Sequence, residues 1–196
     1  MYYTTNYSSP LGSILLASDG ENLIGAWLAG QKYHGGALKD EAVQKDDLPV
    51  FTRAKNWLDR YFNGDKPAIS ALPLAPVGGE FRQTVWNILR EIPYGETLTY
   101  GDIARLVAAQ TGKKRVSAQA VGGAVGHNPI SIIIPCHRVV GASGSLTGYA
   151  GGIDKKIKLL KHEAVDTSSF FVPPNRTGLF SQFCAGFTVG RRGKPV

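Results

Sequence analysis

The sequence predicts two domains of different class, a small α/β domain over residues 1–78 and a mainly α-helical domain over residues 79–165. In the first range a β-hairpin pattern precedes one amphipathic helix, whereas the second contains a succession of helical patterns. Residues 63–79 hold three prolines and three glycines, which is typical of a domain junction. With 196 residues, the chain is long enough for two small domains or one large one.

The elements of the first domain are marked by their apolar residues. Two apolar runs, residues 14–17 and 23–28, flank the turn-forming residues 19–22 and predict a β-hairpin. Farther along, apolar residues recur at helical spacing, and Gly64 follows them as a stop signal. This apolar face consists of Phe51, Ala54, Leu58, Tyr61 and Phe62. The domain carries no motif that indicates a chemical function.

Two helices are predicted at the start of the second domain. The first has its apolar residues between positions 81 and 92 and is closed by a Pro-Tyr-Gly turn. The second is capped by Thr99, with Asp102 at the position where an acid complements the helix dipole. Gly112 ends this second helix.

A third helix completes a helix-turn-helix pattern. The basic turn Lys113, Lys114 and Arg115 and the cap residue Ser117 lead into residues 118–125, which are mostly Ala, Gly and Val. In a helix-turn-helix the second helix enters a groove of DNA. Because this helix has few long polar side chains, it can lie close to the duplex but read few bases, which fits a protein that scans for lesions. The alternative is a small helix packed tightly on a neighbour.

The adjacent pair Cys136 and His137 is the strongest chemical signal in the chain. A thiol is a good nucleophile only as a thiolate, and a neighbouring imidazole favours the thiolate. Since Pro135 cannot donate to a sheet, the apolar residues 130–134 are predicted to form a strand that ends there and leaves Cys136 at an edge, not in the core. Asn128 precedes this strand in a turn and can bond to backbone groups on both sides of the bend. The alternative is a structural cysteine that happens to precede a histidine.

Three segments of the second domain form a specific combination. They are residues 128–140 (NPISIIIPCHRVV), residues 148–152 (GYAGG) and residues 159–163 (LLKHE). Together they resemble the O6-alkylguanine-DNA alkyltransferase family, also called methylated-DNA–protein-cysteine methyltransferases. The resemblance is strong over residues 81–165, loose before them and absent after them. It implies a ribonuclease-H-like first domain and a winged-helix-like arrangement of the helix-turn-helix domain.

This resemblance also implies a reaction and the residues that carry it. An alkyl group would pass from O6 of a guanine, flipped out of double-stranded DNA, to the thiol of Cys136, with O4-alkylthymine as a second candidate substrate. His137 would take the thiol proton through a water molecule, and Glu163 would orient and charge His137. Asn128 would tie the DNA-binding helix to the active-site segment, and Tyr100 would help to rotate the nucleotide. The other residues implied to line the pocket are Val139, Tyr149, Ala150 and Gly151.

One position of the helix-turn-helix departs from the family pattern. Gln119 stands where relatives commonly have an arginine that fills the gap left by the flipped nucleotide. Because glutamine lacks a delocalised cation that stacks on bases, we expect Gln119 to do this more weakly, or Arg115 to take part of it. The other residues expected to contact DNA are Ser117, Ala118, Ala120, Gly122, Lys113, Lys114 and Arg138.

Several alternatives stay open at the level of sequence. Alkyl transfer makes a thioether, which unlike a thioester offers water no carbonyl to attack, so one transfer per molecule is expected. A cysteine hydrolase using Cys136 and His137 is the first rival, although the helix-turn-helix would then be unexplained. A non-enzymatic binder of alkylated DNA is the second, although that class has tryptophan in place of the cysteine. Taken alone, Glu163 can be a solvated helix end and Tyr149 a packed loop aromatic.

Charge and composition narrow the partners and the compartment. Residues 81–163 carry eleven Lys/Arg against five Asp/Glu, whereas residues 1–80 carry seven against nine. Positive charge on the part with the cysteine favours nucleic acid as partner, although many basic faces are merely solvated. With only Cys136 and Cys184, no disulfide framework is expected, which favours the cytoplasm.

The remaining expectations are absences. The N-terminus has no secretory pattern, and no apolar stretch approaches membrane length. The histidine and cysteine spacing does not indicate a zinc site, so we expect neither metal nor cofactor. We expect a monomer, with residues 166–196 as a C-terminal tail of unknown role.

Overall fold

The N-terminal domain is built on a four-stranded sheet with one covering helix. The computed structural model describes residues 1–36, 38 and 42–174. The sheet has the strand order β3-β2-β1-β4, and only β4 runs parallel to its neighbour. Its strands are β1 (Tyr2–Ser9), β2 (Gly12–Ser18), β3 (Leu23–Leu28) and β4 (Ala42–Gln44), and α1 (Pro49–Phe62) follows them.

The predicted hairpin and the predicted helix of this domain are confirmed. Strands β2 and β3 pair antiparallel, with Leu16 opposite Ala26, and every residue of β3 is buried. Helix α1 begins at Pro49, where the missing amide hydrogen has no helical acceptor in any case. Strand β1 was not predicted, because its core-facing side consists of Tyr3, Thr5 and Tyr7 and shows no aliphatic pattern in the sequence.

Four helices form most of the second domain, and the predicted caps are confirmed. The backbone amide of Asp102 donates to Thr99 Oγ1 at 3.1 Å, and the amide of Thr99 donates to Asp102 Oδ2 at 2.8 Å. Ser117 Oγ accepts from the amide of Ala120 at 3.0 Å. Gly112 ends its helix with φ of +66°, a value that favours glycine. The helices are α2 (Glu80–Arg90), α3 (Tyr100–Thr111), α4 (Ala118–Gly126) and α5 (Ile153–His162).

The predicted strand over residues 130–134 is wrong. Ile130 makes an isolated bridge to Ala26, and the next three residues form turns, with Ile132 at φ of +73°. The backbone is satisfied locally, since the amide of Ile134 donates to Ile130 O at 3.0 Å. The apolar run is buried because it packs in the core that both domains share, not because it joins a sheet. The second domain instead has two short strands that pair parallel, β5 (Leu98–Thr99) before this segment and β6 (Val139–Val140) after it.

Backbone hydrogen bonds dock the two domains next to this turn segment. The amide of Ala26 in β3 donates to Pro129 O at 2.9 Å, and the amide of Ser131 donates to Ala26 O at 2.9 Å. The sheet of the first domain therefore holds the segment that leads to Cys136.

The described part of the tail lies against residues 141–152, which form a glycine-rich loop. The amide of Leu146 donates to Phe171 O at 2.8 Å, and the amide of Phe171 donates to Gly144 O at 3.2 Å. The expectations for the rest of the tail, including Cys184, lie outside the described residues. None of the helices in the described part of the chain has the length and apolarity that a membrane crossing needs.

Candidate active site around Cys136

The sequence predicted Cys136 at an exposed edge, but the residue lies in the core. It opens a short 3-10 helix, residues 136–138, and only 4% of its surface is exposed. The edge position depended on the strand over residues 130–134, and without that strand the chain turns inward. Burial raises the pKa of the Cys136 thiol, and the Asn128 hydrogen bond and the Lys156 charge oppose this rise. The resting group is therefore a thiol that needs a base.

Asn128 holds the turn that carries the thiol. Its Oδ1 accepts from the amide of Ile130 at 3.1 Å, and its Nδ2 donates to Ile134 O at 2.8 Å. The side chain was predicted to bond on both sides of the bend at residues 126–129, but its partners all follow the bend. The same Nδ2 donates to Cys136 Sγ at 3.1 Å, a contact that favours the thiolate.

His137 and Glu163 form a buried pair beside the thiol. The distance from His137 Nε2 to Glu163 Oε1 is 2.7 Å, and neither side chain is exposed to solvent. Burial lowers the pKa of His137 against the opposing effect of Glu163, which leaves the ring neutral. With its hydrogen on Nε2 facing the carboxylate, Nδ1 is left as an acceptor. This Nδ1 is buried and has no hydrogen-bond partner among the described residues.

Glu163 accepts hydrogen bonds from two side chains that the sequence did not connect with it, and from the amide of Gly95 at 3.3 Å. Arg138 donates through Nε to Oε2 at 2.8 Å and through Nη2 to Oε1 at 3.0 Å. Tyr61 donates its hydroxyl hydrogen to Oε1 at 2.8 Å. Although burial acts to raise the pKa of Glu163, bonds from His137 and Arg138 hold it well below its ordinary value. The carboxylate is therefore a fixed negative charge and not a solvated helix end.

Two basic side chains are buried next to the site. Arg138 was expected to contact DNA, but it is 6% exposed, and its Nη1 donates to Ile92 O at 2.6 Å. A guanidinium that already neutralises Glu163 in the core cannot reach a phosphate, so this expectation is corrected.

Lys156 on α5 is fully buried, although lysine side chains are mostly exposed in proteins. Its Nζ donates to Thr147 O at 3.2 Å and to Val139 O. Burial lowers the pKa of Lys156 to about 8 against the effect of Cys136. Helical spacing contained a signal for this position, since Lys156 shares a helix face with Leu159, Leu160 and Glu163.

The predicted pocket residues lie at the start of α3, in β6 and in the loop before α5. The Tyr100 hydroxyl at the start of α3 donates to Thr147 O at 3.0 Å, and burial raises its pKa to about 12. Val139 is buried in β6. Tyr149 is 8% exposed, and its buried hydroxyl has no partner among the described residues. Ala150 and Gly151 follow it and are half-buried.

The predicted DNA-contacting residues other than Arg138 lie on a different part of the second domain. Helix α4 buries Val121, Ala124 and Val125, and the Trp86 indole donates to Ala124 O at 2.9 Å. One face of α4 is thus packed on α2, while its N-terminal turn faces solvent. Gly122 is half-buried, and the exposed residues are Lys113, Lys114, Arg115, Ser117, Ala118, Gln119 and Ala120.

Metal ligation finds no support within residues 1–36, 38 and 42–174. No three side chains of His, Cys, Asp or Glu in this part of the chain lie close enough together to hold an ion.

Comparison with known proteins covers both domains. The family model for the ribonuclease-like domain of 6-O-methylguanine DNA methyltransferase matches residues 1–76, and that for its DNA-binding domain matches residues 80–165. A methylated-DNA–protein-cysteine methyltransferase from Haemophilus influenzae is 43% identical over 83% of this chain and 87% of its own length. One from Methanosarcina acetivorans is 46% identical over 83% and 98%. The crystal structure of Mycobacterium tuberculosis OGT in complex with DNA has a TM-score of 0.70 and 40% identity, covering 86% of this chain and 94% of that one.

Proposed function

The chain belongs to the 6-O-methylguanine DNA methyltransferase family and repairs DNA by alkyl transfer, and we propose that Cys136 is the alkyl acceptor. The observation that carries this proposal is the buried thiol next to a His137–Glu163 pair with a 2.7 Å contact. Nucleophile, base and base-orienting carboxylate recur in this arrangement on unrelated folds. Family membership also removes the cysteine hydrolase that the sequence left open.

The proton and the alkyl group move in opposite directions in the proposed reaction. The Cys136 thiol gives its proton, through a water molecule, to Nδ1 of His137, and Glu163 stabilises the imidazolium that forms. The thiolate sulfur attacks the alkyl carbon, the bond from that carbon to O6 breaks, and its electron pair leaves with the guanine. The guanine anion then takes up one proton. The thioether is stable to water, so each molecule reacts once.

The helix-turn-helix is the proposed contact with double-stranded DNA. The M. tuberculosis relative was crystallised in complex with DNA, and the basic turn and the start of α4 are exposed in this chain. We assign Lys113, Lys114 and Arg115 to phosphates and Gln119 to the gap left by a flipped base. Tyr100 lies between α4 and the glycine-rich loop. Its ring is 3.9 Å from the position that a Cβ atom would take at Gly122 in α4, and its hydroxyl donates to Thr147 O in the loop.

The substrate and the assembly are part of the same proposal. We propose O6-alkylguanine as the substrate, with O4-alkylthymine as the second candidate, and a monomer as the active form. The site residues Cys136, His137 and Glu163 come from one chain, which supports the monomer.

Restoration of guanine in a duplex oligonucleotide that carries one O6-methylguanine tests this assignment. Cys136→Ala should leave the lesion unrepaired, because no other thiol lies beside the His137–Glu163 pair in the described residues. Cys184→Ser is the matched control and should repair at the wild-type rate. Repair by Cys136→Ala would contradict the assignment.

A further inference from the structure

Tyr61 brings the N-terminal domain into direct contact with the relay. It lies in α1, 102 residues before Glu163 in the chain, and its hydroxyl donates to Glu163 Oε1 at 2.8 Å. The side chain is 1% exposed. Such a buried tyrosine hydroxyl needs a partner, and here that partner is the carboxylate that faces His137.

We propose that Tyr61 is a positioning residue for alkyl transfer, through which the N-terminal domain completes the proton relay of the C-terminal domain. This inference rests on the proposed role of His137 and Glu163. It gives the first domain a function in the reaction in addition to its packing role.

The placement of Tyr61 is determined by contacts independent of its hydroxyl. Its ring stacks on Trp57 with centroids 5.5 Å apart and meets Tyr94 edge-on at 6.1 Å. His162 Nε2 lies 2.7 Å from the backbone oxygen of Tyr61. Because His162 and Glu163 are adjacent, two consecutive residues of the second domain bind the same tyrosine. The hydroxyl is therefore held at the carboxylate by both domains.

The hydroxyl shares one carboxylate oxygen with the base. His137 Nε2 at 2.7 Å, Tyr61 Oη at 2.8 Å and Arg138 Nη2 at 3.0 Å all contact Oε1. Burial and then the charge of Glu163 raise the pKa of Tyr61 far above its ordinary value, so this hydroxyl only donates. Each donor to Oε1 reduces the negative charge that the imidazole faces. Tyr61 thereby fixes the direction of Oε1 and moderates its attraction for a protonated His137.

Removal of the hydroxyl therefore has a pH signature. In Tyr61→Phe the carboxylate is less neutralised, so the imidazolium is favoured and the pKa of His137 rises. A base with a higher pKa takes the Cys136 proton more readily while it is neutral, but it is protonated at a higher pH. The ratio of the Tyr61→Phe rate to the wild-type rate therefore rises from the acid side toward higher pH. A purely structural contact would lower the rate by the same factor at every pH.

The test is the single-turnover rate of the full chain on an O6-methylguanine duplex from about pH 5 to pH 9. Tyr61→Phe should shift the acid limb toward higher pH, and the ratio of its rate to the wild-type rate should rise by about 3- to 10-fold from the acid limb to the plateau. Tyr7→Phe is the matched control, because its hydroxyl donates to the Asp59 carboxylate at 2.7 Å on the exposed side of α1. This control should keep the wild-type profile.

A second measurement distinguishes an effect on the proton relay from a loss of stability or of DNA binding. In a Cys184→Ser background, the pH dependence of Cys136 alkylation by iodoacetamide reports thiolate formation without DNA. Because a more favoured imidazolium stabilises the thiolate, Tyr61→Phe should shift this dependence toward lower pH. An unshifted Tyr61→Phe profile in both assays, or a uniform loss of rate, would overturn the inference. If wild-type protein fails to methylate Cys136 at all, the proposed function fails instead.

Discussion

In the proposed reaction, Cys136 has to lose a proton before it attacks, and its immediate neighbours both hinder and help that loss. Burial favours the neutral thiol, whereas the Asn128 amide and the Lys156 charge favour the thiolate. His137 is a neutral base because burial outweighs the attraction of Glu163. At the scale of residues, the proposed nucleophile is a thiol that becomes reactive only when its proton moves to His137.

Replacement of Glu163 by glutamine tests the carboxylate. An amide does not stabilise the imidazolium that forms on His137, so Glu163→Gln should slow transfer by about 10²-fold in a single-turnover assay. DNA affinity, measured by fluorescence anisotropy, should stay close to that of wild type. Glu91→Gln, at an exposed residue after α2, is the control. A Glu163→Gln variant that reacts at the wild-type rate would remove the carboxylate from the mechanism.

Lys156 should give a pH dependence of opposite sign to that of His137. Its pKa of about 8 means that it carries the charge that favours the Cys136 thiolate below about pH 8 and loses it above. In Lys156→Met, transfer should slow by about tenfold near pH 7, the effect of roughly one pKa unit on the thiol. The ratio of wild-type to variant rates should shrink toward pH 9.

The control for Lys156 lies on the same helix. Lys158 is exposed on α5, so Lys158→Met removes an equal charge from solvent and should leave the pH profile unchanged. A constant rate ratio for Lys156→Met across the pH range would show that Lys156 acts only by tying Val139 to Thr147.

At the scale of elements, α4 and the turn before it separate packing from contact with DNA. Val121, Ala124 and Val125 face the core, whereas the basic turn and the first turn of α4 are exposed. The small residues that suggested close approach to a duplex thus face solvent at the N-terminal end of α4 and at Gly123. Phosphate contacts are expected there, where side chains and free helix amides lie together.

The salt dependence of DNA binding tests the basic turn. Lys113→Ala with Lys114→Ala should reduce the slope of log affinity against log salt by about one unit per lost phosphate contact, equally for methylated and unmethylated duplexes. Arg53→Ala with Lys66→Ala removes two exposed cations from the N-terminal domain and is the matched control. An unchanged slope in the Lys113 and Lys114 variant would mean that the turn faces only solvent.

At the scale of the whole molecule, the sequence predicted what depends on nearby residues. The Thr99 and Ser117 caps, the helix end at Gly112 and the β2–β3 hairpin each follow from side chains within a few positions. Strand β1 was missed because it pairs with β2 and faces the core with two tyrosines and a threonine, without an aliphatic pattern. The apolar residues 130–134 were misjudged because burial in a core shared by two domains resembles burial in a sheet.

The residues of the candidate site likewise divide into those that nearby sequence predicts and those that only the fold brings together. The Cys136–His137 pair and Asn128 lie close together in the chain, and the resemblance to a family added Glu163. The Tyr61 contact with Glu163 joins residues 102 positions apart, and no local pattern marks a tyrosine on an apolar helix face as a hydrogen-bond donor. Lys156 was within reach of prediction, since helical spacing places it on the face of Leu159 and Leu160, but its charge suggested solvent.

Peptide mass mapping of the protein after reaction with an excess of O6-methylguanine duplex tests the central claim most directly. The account predicts one added methyl group per molecule, located on Cys136, with no further repair when fresh substrate is supplied. Repeated turnover, or a methyl group on Cys184 in place of Cys136, would contradict it.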